Sequence, residues 1–173
     1  MFSGKSEELV RRMRRATIAR QRVQVFKPRT DVRHEADRLI TRDQRELAAL
    51  TVPDSAALRA QLDPDVQVIG VDEAQFFDEG LVALVGELAD RGIRVIVAGL
   101  DQDYLRRPFG PMPGIMALAE YVDKMHAVCV RCGGAAHYSQ RIAGGGDQVQ
   151  VGDVEAYEAR CRRCYVPFTP EGA

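Results

Sequence analysis

The four cysteines of this chain come as two pairs, Cys129-x-x-Cys132 and Cys161-x-x-Cys164, all in its last quarter. Each pair offers two sulfurs from one tight turn. Two pairs make a closed tetrahedron of thiolates suited to Zn²⁺, with no open position for catalysis. In a reducing compartment such pairs read as a structural metal site and not as two disulfides. Twenty-eight residues separate Cys132 from Cys161, more than in most zinc ribbons, so the intervening chain is a loop pinned at its base.

A second chemistry stands at the other end. Ser3-Gly4-Lys5-Ser6 leads directly into a helical pattern and matches the close of a phosphate-binding loop, G-x-x-x-x-G-K-[ST]. Glycine lets the backbone turn its N–H groups toward an anion, and the helix N-terminus adds its positive end. Lys5 then reaches the β- and γ-phosphates, and the Ser6 hydroxyl suits Mg²⁺. The first glycine of the motif, and the strand that feeds it, fall before Met1. The expectation is a chain truncated at its phosphate loop.

The third group is Asp72-Glu73, which ends the apolar run Val68–Val71. An acid at the end of a central strand is where phosphate-loop proteins hold the Mg²⁺ that bridges the phosphates, a role that suits Asp72. Glu73 beside it is placed to take a proton from an attacking hydroxyl. The bland alternative is a pair of acids capping the next helix.

These groups need a scaffold. Ser6–Arg20 reads as a helix with Leu9, Val10, Met13 and Thr17 on one side, followed by a short strand at Val23–Phe26 that Pro28 ends. Residues 29–54 show no periodicity and read as a long loop with helical turns. Ser55–Leu62 reads as a short helix capped by Asp54 or Ser55. Gln67–Val71 and Ile93–Ala98 read as buried strands, Asp78–Asp90 and Gly114–Tyr121 as helices, and Lys124–Val128 as a further strand. Strands alternating with helices predict an α/β fold with a parallel sheet flanked by helices. After Cys129 the alternating segments Ala136–Ile142 and Gln148–Val151, separated by Gly144-Gly145-Gly146, suggest a β-hairpin. The expected division is a nucleotide-binding domain at 1–124 and a zinc-binding domain at 125–173.

A formal net charge of −1 argues against a protein whose main task is gripping a nucleic-acid backbone. The cluster Arg11, Arg12, Arg14, Arg15, Arg20 and Arg22 fits a solvated helix face or subunit contact better than a polynucleotide site. No apolar run reaches the roughly 18 residues that cross a bilayer, and the first residues lack a secretory pattern. A cytoplasmic, non-membrane protein is expected. His34, His126 and His137 read as surface or packing residues.

Taken together, Met1-Phe2-Ser3-Gly4-Lys5-Ser6, Asp72-Glu73-Ala74-Gln75-Phe76-Phe77, Gly99-Leu100-Asp101, Arg107-Pro108-Phe109-Gly110 and the two cysteine pairs resemble cellular-type (type II) thymidine kinases over essentially the whole chain. The resemblance implies a RecA-like phosphate-loop sheet with a C-terminal zinc-ribbon lasso. It implies transfer of the ATP γ-phosphate to the 5′-hydroxyl of thymidine, with Glu73 as general base. Ser3, Gly4, Lys5, Ser6 and Asp72 would hold the triphosphate and Mg²⁺, and Asp31 and Arg33 align with a pair near the phosphates. The base contacts it implies are Met1, Phe76, Leu100, Tyr104, Phe109, Val149, Val151 and Tyr157. The lasso, with Ser139 and Arg141 nearby, would close over the nucleoside and bond the pyrimidine through backbone groups, its glycines giving the tip freedom to move. A homo-oligomer, dimer or tetramer, is also implied. The alternatives are a zinc-ribbon phosphate-loop ATPase and a nucleic-acid-binding module. The first lacks the length for two ATPase domains, and the second leaves the phosphate loop and acid pair unexplained.

Overall fold

A run with no polar residue forms a strand covered on both faces, and Val68–Val71 is one: all four residues are buried. The computed structural model describes residues 1–29, 38–40, 46–142 and 156–167. The chain divides into two compact units. The larger is Lys5–Leu100 with Gly110–Val122; the smaller is Met1–Gly4, Asp101–Phe109 and Asp123–Ala173.

In chain order the larger unit contains α1 (Lys5–Ile18), β1 (Val23–Pro28), β2 (Arg38–Ile40), β3 (Glu46–Ala48), β4 (Leu50–Val52), α2 (Ser55–Ala60), β5 (Val68–Val71), α3 (Gly80–Asp90), β6 (Arg94–Val97) and α4 (Met112–Leu118). Its sheet runs β4-β1-β5-β6, and every neighbouring pair is parallel. Side chains of successive strand residues point to opposite faces, and the two cores divide accordingly. Val25 and Val68 pack with Leu9, Met13 and Ala16 of α1. Phe26, Ile69 and Val71 pack with Leu58 of α2, Leu81, Leu84 and Leu88 of α3, and Met112 and Ile115 of α4. The result is the expected parallel sheet with helices on both faces. Gly70 lets α1 come close: a Cβ there would stand 3.1 Å from Met13 Sδ and 3.2 Å from Leu9 Cδ1.

Several local expectations change. Ala16, not Thr17, completes the buried stripe of α1; the Thr17 hydroxyl instead donates to the Met13 carbonyl. Arg11 and Arg12 pair with Glu8 on the outside of the helix. Within the stretch expected to be a loop, β2 and β3 pair antiparallel and β4 joins the parallel sheet beside β1. Three-residue strands are too short for periodicity to reveal. The run Ile93–Ala98 predicts a buried strand, yet in β6 Arg94 is exposed and Val95–Val97 are half-buried, because among the described residues it pairs only with β5. Asp54 does cap α2, accepting a hydrogen bond from Ala57 N at 2.7 Å. α4 starts two residues earlier than expected and stops at Leu118, since Pro113 is tolerated in a first helical turn.

The smaller unit contains β7 (Ala127–Val128), β8 (Ala135–Ala136), β9 (Tyr138–Arg141) and β10 (Tyr157–Arg160). β7 pairs antiparallel with β8 and β9 with β10. The strand expected at Lys124–Val128 is therefore two residues long and belongs to this unit. The partner of β9 is β10; Gln148–Val151 lies outside the described residues. One small apolar cluster here is Ala127, Cys129, Ala136 and Ala159, with Phe2, Cys161 and Cys164 against it; Tyr104, Tyr138, Ala156 and Tyr165 are buried too.

Candidate active site

In the larger unit, Lys5 and Ser6 open α1, and Gly4 precedes them with φ +78°. Asp72 follows β5, its backbone N–H donating to Phe26 O at 2.9 Å. Its side chain is buried. Burial pushes the carboxyl up from 3.8 to about 6, and the charge of Glu73 adds to the rise. A hydrogen bond from Ser6, the backbone N–H of Glu73 and the Lys5 ammonium pull the other way. One carboxylate oxygen, Oδ1, is buried with no hydrogen-bond partner. A buried acceptor left bare is costly, and with a hydroxyl beside it the donor set fits a hard, oxygen-seeking cation such as Mg²⁺.

Glu73 adopts φ 49° and ψ 39°, a left-handed conformation uncommon for residues with a Cβ. The chain then enters a 3-10 turn at Ala74–Phe76, held to the residue after β6 by Ala74 N donating to Ala98 O at 3.0 Å. Glu73 is half-buried, as are Phe76 and Leu100. Gln75, buried in the same turn, donates from Nε2 to Glu73 Oε2 at 2.5 Å, and its Oε1 accepts from Leu100 N at 2.9 Å. The larger unit thus brings together Lys5, Ser6, Asp72, Glu73, Phe76 and Leu100.

In the smaller unit, Asp103 is 4% exposed and shapes the loop that carries Tyr104. Its carboxylate accepts from Leu105 N and Arg107 N, each at 2.9 Å, and from Arg107 Nε at 3.0 Å. Tyr104 is buried, its carbonyl accepting from the Tyr165 hydroxyl at 2.7 Å. The rings of Tyr104 and Tyr157 stand 6.4 Å apart. The buried Arg141 guanidinium lies 4.8 Å from the first ring centre and 5.9 Å from the second. Phe109 is half-buried, with its N–H donating to Asp101 O at 3.2 Å. Met1 and Ser3 are also half-buried here. Asp31, Arg33, Val149 and Val151, like His34 and the triple glycine, lie outside the described residues.

The four cysteine sulfurs all lie within 4.8 Å of one another, and Cys132 Sγ is 3.6 Å from Cys161 Sγ. Thiolates about 2.3 Å from a tetrahedral zinc stand about 3.8 Å apart, so the cluster fits that ion. Burial works against ionisation of Cys129. The backbone N–H groups of Cys161, Arg131 and Cys132 outweigh it and bring the thiol down to about 6. Cys164 is pushed up to about 12, by the Cys161 and Cys132 sulfurs first and then by burial. His126 and His137 meet edge to face, 4.2 Å between ring centres. Sequence reasoning missed what Gln75, Asp103 and Tyr165 hold together; the one available signal was a lone amide inside the apolar stretch Ala74–Phe77.

The thymidine kinase family model matches residues 1–165. The chain belongs to the thymidine kinase family. Among its relatives, the thymidine kinase of Porphyromonas gingivalis is 52% identical over 165 residues, 95% of this chain and 80% of that one. That of a Rhodothermus strain is 52% identical over 170 residues, 98% and 79% of the two chains. The Bdellovibrio bacteriovorus thymidine kinase is 50% identical over 167 residues, 96% and 82%. Membership of the thymidine kinase family decides against the ATPase and nucleic-acid readings. It also agrees with a parallel sheet flanked by helices and a separate four-cysteine cluster.

Proposed function

We propose that this chain transfers the γ-phosphate of ATP to the 5′-hydroxyl of thymidine, giving thymidine monophosphate and ADP. The supporting observation is the meeting of Ser6, a buried and half-satisfied Asp72, and a left-handed Glu73 in a member of the thymidine kinase family. Glu73 takes the 5′-hydroxyl proton as that oxygen bonds to the γ-phosphorus. The bond from the γ-phosphorus to its bridging oxygen breaks, and ADP leaves. Ser3 and Gly4 turn backbone N–H groups to the phosphates, and Lys5 meets the β- and γ-phosphates with its ammonium. Ser6 and Asp72 would hold Mg²⁺, which would supply positive charge to offset that of the phosphates. Asp31 and Arg33 act near the same phosphates.

Tyr104 and Tyr157 offer aromatic faces to the pyrimidine. Met1, Phe76, Leu100, Phe109, Val149 and Val151 are assigned base contacts on the strength of the resemblance. Cys129, Cys132, Cys161 and Cys164 hold a structural zinc that clamps the base of the lasso. We assign nucleotide chemistry to residues 1–124 and the lasso to residues 125–173. The working form is a cytoplasmic homo-oligomer, a dimer or tetramer, that engages neither membrane nor nucleic-acid polymer. No helix of the described residues is long and apolar enough to cross a membrane.

The test is ATP-dependent conversion of labelled thymidine to its monophosphate, by this chain and by Glu73→Gln. Loss of general base catalysis lowers turnover by roughly 10²–10⁴-fold, with thymidine and ATP still bound. Turnover near that of the unsubstituted chain would remove Glu73 from the role.

A further inference from the structure

Gln75 is 2% exposed, and a buried amide is costly unless both its ends are used. Both are. Nε2 donates to Glu73 Oε2 at 2.5 Å and Oε1 accepts from Leu100 N at 2.9 Å. The two bonds also fix which way the amide faces. Exchanging its oxygen and nitrogen would set oxygen against carboxylate and N–H against N–H. Two glycines enclose the residue. A Cβ at Gly99 would lie 3.1 Å from Gln75 Oε1, and one at Gly110 would lie 2.3 Å from the Gln75 carbonyl oxygen. The side chain is thus held at both ends, from the backbone after β6 to the carboxylate after β5, with Gly99 beside its amide and Gly110 against its backbone.

Glu73 needs such a holder. Its backbone is left-handed, a costly conformation for a residue with a Cβ that persists only where the surroundings impose it. It also neighbours the buried carboxyl of Asp72, a like charge when both are ionised. A neutral amide donor fixes one carboxylate oxygen here without cancelling the charge that a base needs.

We propose that Gln75 is a positioning residue for phosphoryl transfer: anchored on Leu100 N–H, it ties down Glu73 Oε2 and so aims Oε1 at the nucleoside hydroxyl. Gln75's part rests on Glu73 being the general base. It makes no contact with substrate and acts through Glu73 alone.

The test is a double-mutant cycle on the full chain, with kcat and KM measured for thymidine and ATP. Gln75→Met removes both hydrogen bonds. Gln75→Glu keeps the length and an oxygen for Leu100 N–H, and serves if the methionine variant does not fold. Misplacing the base by about 1 Å lowers kcat by roughly 10²-fold, with both KM values within about threefold of the unsubstituted chain. In the Glu73→Gln background, either change then costs less than about twofold more, because residues acting through one group are not additive. An unchanged kcat, a loss carried by KM, or a loss that multiplies in full on top of Glu73→Gln would each overturn the positioning role. Undiminished turnover by Glu73→Gln, or no turnover by the unsubstituted chain, would overturn the general-base assignment and the positioning role with it.

Discussion

Replacing Asp72 by asparagine should make the protein more stable at neutral pH while it loses activity. In the folded chain burial holds the carboxyl at about 6 instead of 3.8. Below pH 4 both folded and unfolded states carry the proton. Between about 4 and 6 the unfolded chain releases it and the folded chain does not, so this residue's contribution to stability falls as pH rises. Above about 6 the loss is complete. At about 1.4 kcal/mol per pKa unit it comes to roughly 3 kcal/mol. Asparagine never ionises and keeps an oxygen for the Ser6 hydroxyl. Its NH₂ group stands where Oδ1 already lacks a partner, so that position is unpaired in both proteins. The net expectation is a variant up to about 3 kcal/mol more stable at pH 7.5 and of similar stability at pH 4. Urea titrations followed by circular dichroism or tyrosine fluorescence suit a chain without tryptophan. The readout is the difference between the two proteins, because Glu8 and Asp78, whose carboxyls are lowered on folding, tilt the absolute curve the other way in both. A difference that keeps one sign and size from pH 4 to 7.5 would refute the burial argument. Loss of turnover alongside gained stability would mark Asp72 as held ionised for function.

Three further outcomes follow from particular contacts. Gly110→Ala should destabilise by about 2–4 kcal/mol, since its φ is +50° and the new Cβ would meet the Gln75 carbonyl at 2.3 Å; a thermal midpoint within 2 °C or so of the parent's would count against that packing. Tyr165→Phe removes the hydroxyl bonded to Tyr104 O, worth about 1 kcal/mol. Thymidine KM should rise about fivefold with kcat kept, and an unmoved KM would detach Tyr104 from the base. Chelating zinc, or replacing Cys164 by serine, should unfold the part of the smaller unit around the cysteines, where the apolar cluster is otherwise three alanines and a phenylalanine. Limited proteolysis near residues 126–142 reports this directly, and unaltered resistance would show that the metal is not needed.

What the sequence made legible was whatever repeats or carries a strong local rule. Val68–Val71 had to be a covered strand, Asp54 or Ser55 a cap, and two Cys-x-x-Cys turns a cluster of thiols. What it hid depends on distance along the chain. β4 is three residues whose pairing with β1 exists only once the sheet forms. β10 closes on β9 across the long segment between the cysteine pairs, and no local pattern names that partner. Gln75 is the sharpest case. Its side chain looks polar and expendable in sequence, and only the fold brings Leu100 N–H and the Glu73 carboxylate to its two ends.

Residues 72–75 gather features that each work against stability: a buried carboxyl with a bare oxygen, a left-handed glutamate and a buried amide. Had packing alone shaped this turn, a glycine at 73 and apolar residues at 72 and 75 would fold better. Acids that merely cap the following helix do not explain it either, because α3 begins only at Gly80 and the side chain at its cap position makes no capping hydrogen bond. The costs also match in kind: an acceptor without a donor suits an incoming cation, and a carboxylate tied at one oxygen leaves the other for a proton. Local strain that the surrounding structure enforces, with Ala74 bonded across to Ala98 and Gln75 packed against two glycines, is what supports the proposal that this turn is kept for chemistry.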